Sequence, residues 1–542
     1  MPTITIPLIG QPTQRGLVSR AAFTAGQDQR FINCLFSSIN NSIINTKNVY
    51  VEKRQGAETY VTPQAPGYTA LAIFASVASN HVISIFYSAS VYTIHSGATN
   101  CGLLDGAGIS QINEAIIGSI SYVMFTTNQG TGWFLPSDAR TGFTFTGDTH
   151  TNTTIDNISS LTGLYVGQRI TGTGIAANTR IATITAPSTI TTTIATTATN
   201  AGITITREGV AKIINANFPT SASGLVQMDG YIFTADLTNH RIYNSDLNTI
   251  TTWSAQNYIS TNISSDVLFS VGKYKDKILG FSSNSIEKFY NAGNASGSIL
   301  SSDKAALIQI GSTGVITQNN EYLFFVGPNM LNPGIWMMSD AGIKKISTPP
   351  IDRDLYTTTA FASAIWSIFY GGYTYLILIT VSGTVFFYCI ELDSWNEQAF
   401  AGTLTAANGL RSISNTSGPL FAYGTTGIIY DWNVSPVYQD DGSAYTMTIQ
   451  TEPKVLNGGK GFKIPYIDLL ADNQSSGSTT LEISRDDYGT WQVLGVFNLT
   501  KTRKRITRCG YCRSSAAFRL TDSGNQPWRG QALVVGVEPC ET

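Results

Sequence analysis

A pair of short apolar runs separated by a tight turn recurs down this chain, and the spacing of the pairs restricts the fold more than any other feature. Val82–Tyr87 is followed by Val91–Ile94, Tyr122–Phe125 by Trp133–Leu135, and Tyr231–Phe233 by Arg241–Tyr243. The arrangement returns at Ile278–Phe281 with Ile286–Tyr290, Tyr322–Val326 with Ile335–Met338, Tyr375–Ile379 with Val385–Tyr388, and Leu420–Tyr423 with Ile428–Tyr430. With Ile83, Val123, Phe233, Ile278, Phe324, Ile377 and Phe421 as markers, the intervals are 40, 110, 45, 46, 53 and 44 residues. A period of roughly 40–50 residues, each holding several short strands, is the signature of β-propeller blades. A lone four-stranded blade cannot cover both its faces, whereas in a ring each face is covered by a neighbour. Six or seven blades fit the chain.

The long interval contains a segment of different composition, residues 147–207, built almost wholly from Thr, Ile, Ala, Asn and Gly. Setting aside its roughly 60 residues restores the period. Runs such as Thr179–Ile184 and Ile203–Thr206 alternate apolar and polar positions, which predicts strands with one buried face. The segment therefore reads as a small β-domain inserted at a blade loop, where insertions cost little. A disordered Thr-rich loop is the competing reading. Beyond Asp440 the rhythm changes again, and Tyr445–Gln450, Thr480–Ile483, Gln492–Phe497 and Ala532–Val537 read as strands of a separate domain. The predicted class is all-β: a lead-in over residues 1–60, a β-propeller over 61–146 and 208–440, the inserted domain over 147–207, and a β-sandwich-like domain over 441–542.

Charged residues make up 13% of the chain, about half the usual share, so Thr, Ser, Asn and Gly must supply the polar surface. Such a surface is easily desolvated and suits broad contacts between neighbouring subunits. The net charge of −2 provides no global field for nucleic acid. The opening Met1-Pro2-Thr3-Ile4-Thr5-Ile6 lacks the basic start and apolar core of a signal peptide. No uninterrupted apolar run of about 18 residues exists, so no membrane span is expected. Six scattered cysteines do not form a disulfide framework, and synthesis in a cytosol is expected.

No set of residues with catalytic spacing emerges, and no metal or cofactor is predicted. His81, His95, His150 and His240 lie far apart, without ligand spacing. Cys509-Gly510-Tyr511-Cys512 is a lone CxxC without the four ligands of a structural zinc site, and reads as two strand-end thiols. Ser484-Arg485-Asp486-Asp487-Tyr488-Gly489-Thr490-Trp491 comes close to the Asp-box turn of sialidase-type propellers, but its spacing is off by one and it occurs once; an ordinary hairpin explains it. Gly458-Gly459-Lys460-Gly461 lacks P-loop spacing, and the acid pairs Asp440-Asp441 and Asp486-Asp487 sit in turn-like contexts. The one charge cluster is Lys501, Arg503, Lys504, Arg505, Arg508 and Arg513, in which strand geometry places 501, 503 and 505 on one face. It reads either as a solvated edge strand that blocks unwanted pairing or as a contact for an acidic partner or subunit.

Several of these segments resemble a known family. Arg30-Phe31-Ile32-Asn33-Cys34 followed by Val51-Glu52-Lys53-Arg54-Gln55-Gly56 is similar to the "R-x-x-N-C … K-R-P-G" start of tail-hub proteins of short-tailed phages, also called packaged-DNA stabilisation proteins or tail nozzles. Gln55 stands where that family usually has Pro. Ser283-Asn284-Ser285-Ile286-Glu287-Lys288-Phe289 looks like the family's "S-x-S-I-E-x-F" blade, and Ile308-Gln309-Ile310-Gly311 and Gly342–Ser347 also fit it. The inserted stretch Gly163–Ile175 resembles small β-modules spliced into phage tail proteins. The resemblance implies a structural, non-enzymatic virion subunit, assembled in the bacterial host cytoplasm into a hexameric ring of the tail. That ring would contact a tail adaptor and fibre or spike proteins, close the DNA channel, and conduct double-stranded DNA at ejection. A low-charge lumen would avoid gripping DNA, which places the basic run at a subunit or adaptor contact rather than in the channel. The alternative is a receptor- or glycan-binding, even glycan-cleaving, tail propeller, which needs a polar axial pocket; a cellular adhesion or scaffold propeller is a third.

Overall fold

The computed structural model describes residues 3–540 except 9–29, 42–45, 62–68, 77–80, 89–90, 98, 107–111, 262, 264–265, 320, 328–333, 357–363, 381–383, 403–409, 416–418, 424–427, 433–436 and 456–459. Gly458 and Gly459 thus lie outside the described residues. The chain is all-β with a β-propeller and additional sheets. Five of its sheets are free-standing four-stranded units: residues 69–104, 222–260, 268–302 and 316–345, and a unit of 410–431 completed by Glu58–Val61. Two further meanders, 113–136 with the end of Thr199–Lys212, and 364–398, are built alike but continue into larger sheets.

All seven markers lie on the second strand of one of these units and are buried. The reason is visible at residues 122–125, where every side chain is buried although a strand alternates its faces. Val123 and Phe125 enter the core shared with the preceding blade, and Tyr122 and Met124 the core shared with the following one. Leu323 and Phe325 divide from Phe324 and Val326 in the same way. The units form a closed ring. Inner strands touch in sequence from Ala222–Met228 through Leu268–Tyr274, Ile316–Gln318 and Ala364–Tyr370 to Leu410–Asn415, which returns to Thr69–Ser76. Closure is non-covalent: Glu58–Val61 pairs antiparallel with Ile429–Asp431, joining the beginning of the ring to its end.

The Thr-rich segment leaves the second blade after its third strand and returns as the fourth. Thr199–Lys212 is one strand of 14 residues: its first half pairs with Phe143–His150, and its end with Trp133 and Phe134 of the blade. Phe145, Ile155, Ile158, Leu164, Ile170, Ile181, Ile190 and Ile205 form a core of their own.

Residues beyond 440 form two facing sheets, and the N-terminal residues contribute to both. One sheet is ordered Cys34–Asn41, Thr46–Lys53, Arg529–Gly536, Phe462–Ala471, Lys504–Cys512, with Thr3–Pro7 also on Arg529–Gly536. The other runs Arg30–Ile32, Met447–Gln450, Ser515–Asp522, Ser478–Ser484, Gln492–Asn498. Phe36, Val51, Ile467, Leu481, Phe518 and Leu533 are among the residues filling the space between them. Arg30–Ile32 also pairs in parallel with Ser394–Gln398, the outer strand of the sixth blade, so ring and sandwich share one ten-stranded sheet. Residues 1–60 are therefore divided between the sandwich and the closing strand of the ring. No helix among the described residues is long and apolar enough to cross a membrane.

Candidate partner-contact surface and interdomain joint

The six basic residues occupy unlike environments. The strand begins only at Lys504, so Lys501 and Arg503 sit in the preceding bend and do not share a strand face with Arg505. Lys504 is buried, and its ammonium donates to the carbonyls of Ala471 (2.9 Å) and Lys501 (3.2 Å) and to Asn473 Oδ1 (2.7 Å). Burial pulls its pKa down. Arg505 grips Asp468 with Nε and Nη2 at 2.5 and 2.6 Å, over the ring of Tyr466, and Arg503 reaches the same carboxylate at 3.2 Å. Hydrogen bonds from Arg505 and Arg503 hold Asp468 below the usual carboxylate range. Lys501, Arg508 and Arg513 remain exposed, with no carboxylate partner among the described residues.

Arg508 has φ of 62° and Gly510 φ of 93°, beside a register shift between Ile464 and Tyr466. The bulge bends an edge strand that would otherwise offer a straight row of backbone donors. The adjoining strand Gln492–Asn498 ends the other sheet, and the two edges touch. Val493 and Val496 are 58% and 55% exposed on that strand. This edge ends the ten-stranded sheet, at the opposite end from the blade.

The residues carrying the family resemblance gather instead at a buried joint that composition and spacing did not reveal. Arg54 is fully buried, and all five of its donors are used: Nε on Asn33 Oδ1, Nη1 on Gln55 O and Asp440 Oδ1, Nη2 on Ala399 O and Asp440 Oδ2. Its guanidinium stacks 3.8 Å from the centre of Tyr445, whose hydroxyl donates to the Arg54 carbonyl. Lys53 meets Asp522 at 2.8 Å with neither side chain exposed, and burial lowers its pKa. Asn33, at φ 56°, donates to Thr446 O and accepts from Ala399 N. A Cβ on Gly56 would lie 2.0 Å from the carbonyl oxygen of Gln439, which excludes any other residue. Arg30 pairs with Glu397 at 2.6 Å. The blade motif is likewise structural: Ser285 donates to Asp266, Ile286 and Phe289 are buried, and Ile308 bridges Ile286. Gly311 allows close passage, since a Cβ there would meet Ser283 O at 1.9 Å.

The remaining chemical candidates stay apart. His95 is buried, and burial pushes its pKa down to about 4. His150 pairs with Asp156, and His240 accepts from the amide of Leu268. His81 lies in a strand whose side chain at that point is outside the described residues. Cys509 and Cys512 are free and buried, and burial raises Cys509 to about 11, so neither is a ready thiolate. Among the described residues no cluster of His, Cys, Asp or Glu could hold a metal. The Asp486 loop is a hairpin turn: its carboxylate accepts from Thr490 and Ser484, which brings its pKa to about 2.

Residues 179–393 match the model of a phage stabilisation family described as Bacteriophage P22 Gp10, beta-propeller. The resemblance read from the motifs is thereby borne out, and the match runs from the inserted segment into the sixth blade. Solved structures similar in part include an exo-β-1,3-galactanase from Phanerochaete chrysosporium with galactose (13% identity, 58% of this chain and 95% of that one, TM-score 0.24). A chain of the mitotic checkpoint complex (7%, 70% and 91%, TM-score 0.34) and U3-55K (6%, 69% and 97%, TM-score 0.35) are others. At these scores they add nothing to the fold described above. No curated protein matches the chain.

Proposed function

We propose that this chain is a structural, non-enzymatic subunit of a phage tail hub or nozzle, assembled as a hexameric ring that closes the DNA channel and then conducts the genome at ejection. The match of residues 179–393 to the phage stabilisation family carries this reading. The geometry is consistent with it, because the motif residues build joints and blade contacts rather than a reactive centre. The outer edge of the sandwich serves as the subunit or adaptor contact: Val493 and Val496 supply the apolar centre, and Lys501, Arg508 and Arg513 the charged rim. Arg503, Lys504 and Arg505 hold that edge in shape. Tail adaptor and fibre or spike proteins are the remaining partners, and the site of action is the virion tail.

The test is negative-stain electron microscopy of the purified protein, alone and with its tail adaptor. Six-fold rings with an open centre are expected, and Val493→Asp with Arg508→Glu should disperse them without lowering Tm. Particles that stay single in the presence of the adaptor would overturn the ring. Rings unaffected by the double variant would move the contact elsewhere.

A further inference from the structure

A cleft of about 380 Å³ opens where the inserted module meets the ring. Leu103, Leu104 and Asp105 line it from the first blade, Lys212 from the second, and Arg169, Asn178 and Arg180 from the module. Its charges do not balance. Lys212 pairs with Asp105 at 2.6 Å, and Arg169 pairs with Glu208. Asp105 also accepts from Thr131 (2.7 Å) and from the Trp133 indole (3.2 Å), and Glu208 from the Leu103 amide (3.3 Å). Both carboxylates thus already hold a cation at close range. Arg180 is the third cation: Nη1 donates to Gly167 O at 2.8 Å, and the guanidinium lies over Trp133 at 4.9 Å. Its other donors meet no acceptor among the described residues, and Arg169 Nε is buried without a partner. Burial pulls Arg180 below the usual arginine range, against the opposing pull of Glu208 and Asp105, and Arg169 nearby adds to the lowering.

A half-enclosed site with one surplus positive charge, unused guanidinium donors and an apolar wall suits an oxyanion, which two arginines can bind in a planar, charge-assisted way. We propose that this cleft binds a small oxyanion, either the carboxylate of an acidic sugar or free phosphate, and that the ligand ties the module to the ring. The volume is at the small end of ligand sites, roughly 300–1,000 Å³, which limits the occupant to an ion or a single sugar residue. Bound there, it contacts Arg169 and Arg180 on the module side and Lys212 on the ring side. The module's orientation thereby becomes dependent on the anion.

Calorimetric titration of the full chain at low salt tests this, with sodium phosphate, sodium glucuronate and glucose as a neutral control. Saturable binding of phosphate or glucuronate, and none of glucose, is expected. Arg180→Gln should abolish it. Because Arg180 is largely buried, the second variant is Asn178→Asp, which adds a carboxylate at the exposed rim; Asn178 has φ of 61°, a conformation that Asp also tolerates. That variant should weaken binding by at least about tenfold with Tm unchanged. Glucuronate binding about tenfold tighter than phosphate would assign the source to a glycan, and the reverse order to free phosphate. Absence of binding for both anions, or equal binding by Asn178→Asp and the parent chain, would overturn the proposal.

Discussion

Two buried arginines stand where the two additional domains leave the ring, and they are treated in opposite ways. Arg54, at the sandwich joint, uses every donor and faces Asp440 bidentately. Arg140, at the departure of the inserted module, is also buried, yet none of its three nitrogens meets an acceptor among the described residues. The sandwich joint unites segments nearly 400 residues apart through a shared sheet, two enclosed ion pairs and a glycine that admits no Cβ. The module joint is local: one continuous strand, a separate core, and a cleft of partly exposed charges. A remote joint has to be specified by satisfied polar contacts, whereas a local one is specified by the chain itself.

The largest effect should come from breaking the remote joint. Arg54→Met leaves Asp440 buried without its cation, which costs about 3–5 kcal/mol. Chemical denaturation should show ring and sandwich losing stability together, because they share a sheet. Separate transitions, with the ring unchanged, would mean that the joint does not couple them.

The module should behave differently. Ile155→Ala opens a hole in its own core and costs about 2–5 kcal/mol. Hydrogen exchange should find the loss confined to residues 143–207, with the blade cores as protected as before. Spread of the loss into the first and second blades would show that Thr199–Lys212 transmits strain rather than isolating it.

Arg140→Met sharpens the contrast. Removing a buried cation that has no hydrogen-bond partner removes its desolvation cost, so Tm should stay level or rise, by up to about 1–3 kcal/mol in stability. Burial already pulls the Arg140 pKa down. A marked loss of stability would mean that Arg140 is satisfied by water or by a bound group.

The difference between the joints also explains what could be read from the sequence. Second strands of the blades announce themselves because both faces are covered, so Tyr122–Phe125 or Leu376–Ile379 are unbroken apolar runs. The closing strand Glu58–Val61 and the linking strand Arg30–Ile32 are four and three residues long. Nothing in so few residues names partners some 370 positions away, and only the motif resemblance marked their neighbourhood. The basic run was misplaced in parity because the strand starts at Lys504 and bulges at Arg508. Lys504 is internal for a reason invisible locally: the carbonyl it binds at Ala471 belongs to a different strand end. The cleft was equally hidden, since Asp105, Arg180 and Lys212 come together only once the inserted module folds back against the ring.

The smallest effect is the pH response of the ring side of the cleft, where the first blade meets the second. Burial alone would raise the pKa of Asp105, but hydrogen bonds from Lys212, Thr131 and Trp133 prevail and draw it below 3.8. A carboxylate depressed in the folded state contributes stability that is complete above its unfolded pKa and disappears as pH falls through the folded value. The Lys212 contact should therefore hold at pH 5 and loosen only below pH about 4, the ordinary aspartate value. Side chains at the cleft are about one-third exposed, so screening keeps the contribution within the range of a surface pair, about 0–1 kcal/mol. Asp105→Asn should flatten that part of the acid response of exchange at Thr99–Leu104 and Gly132–Pro136, the blade strands on either side of the pair, while leaving the sandwich unchanged. An identical acid response in the variant would show that the ion pair does not hold the first blade to the second and that their packed cores alone carry that contact.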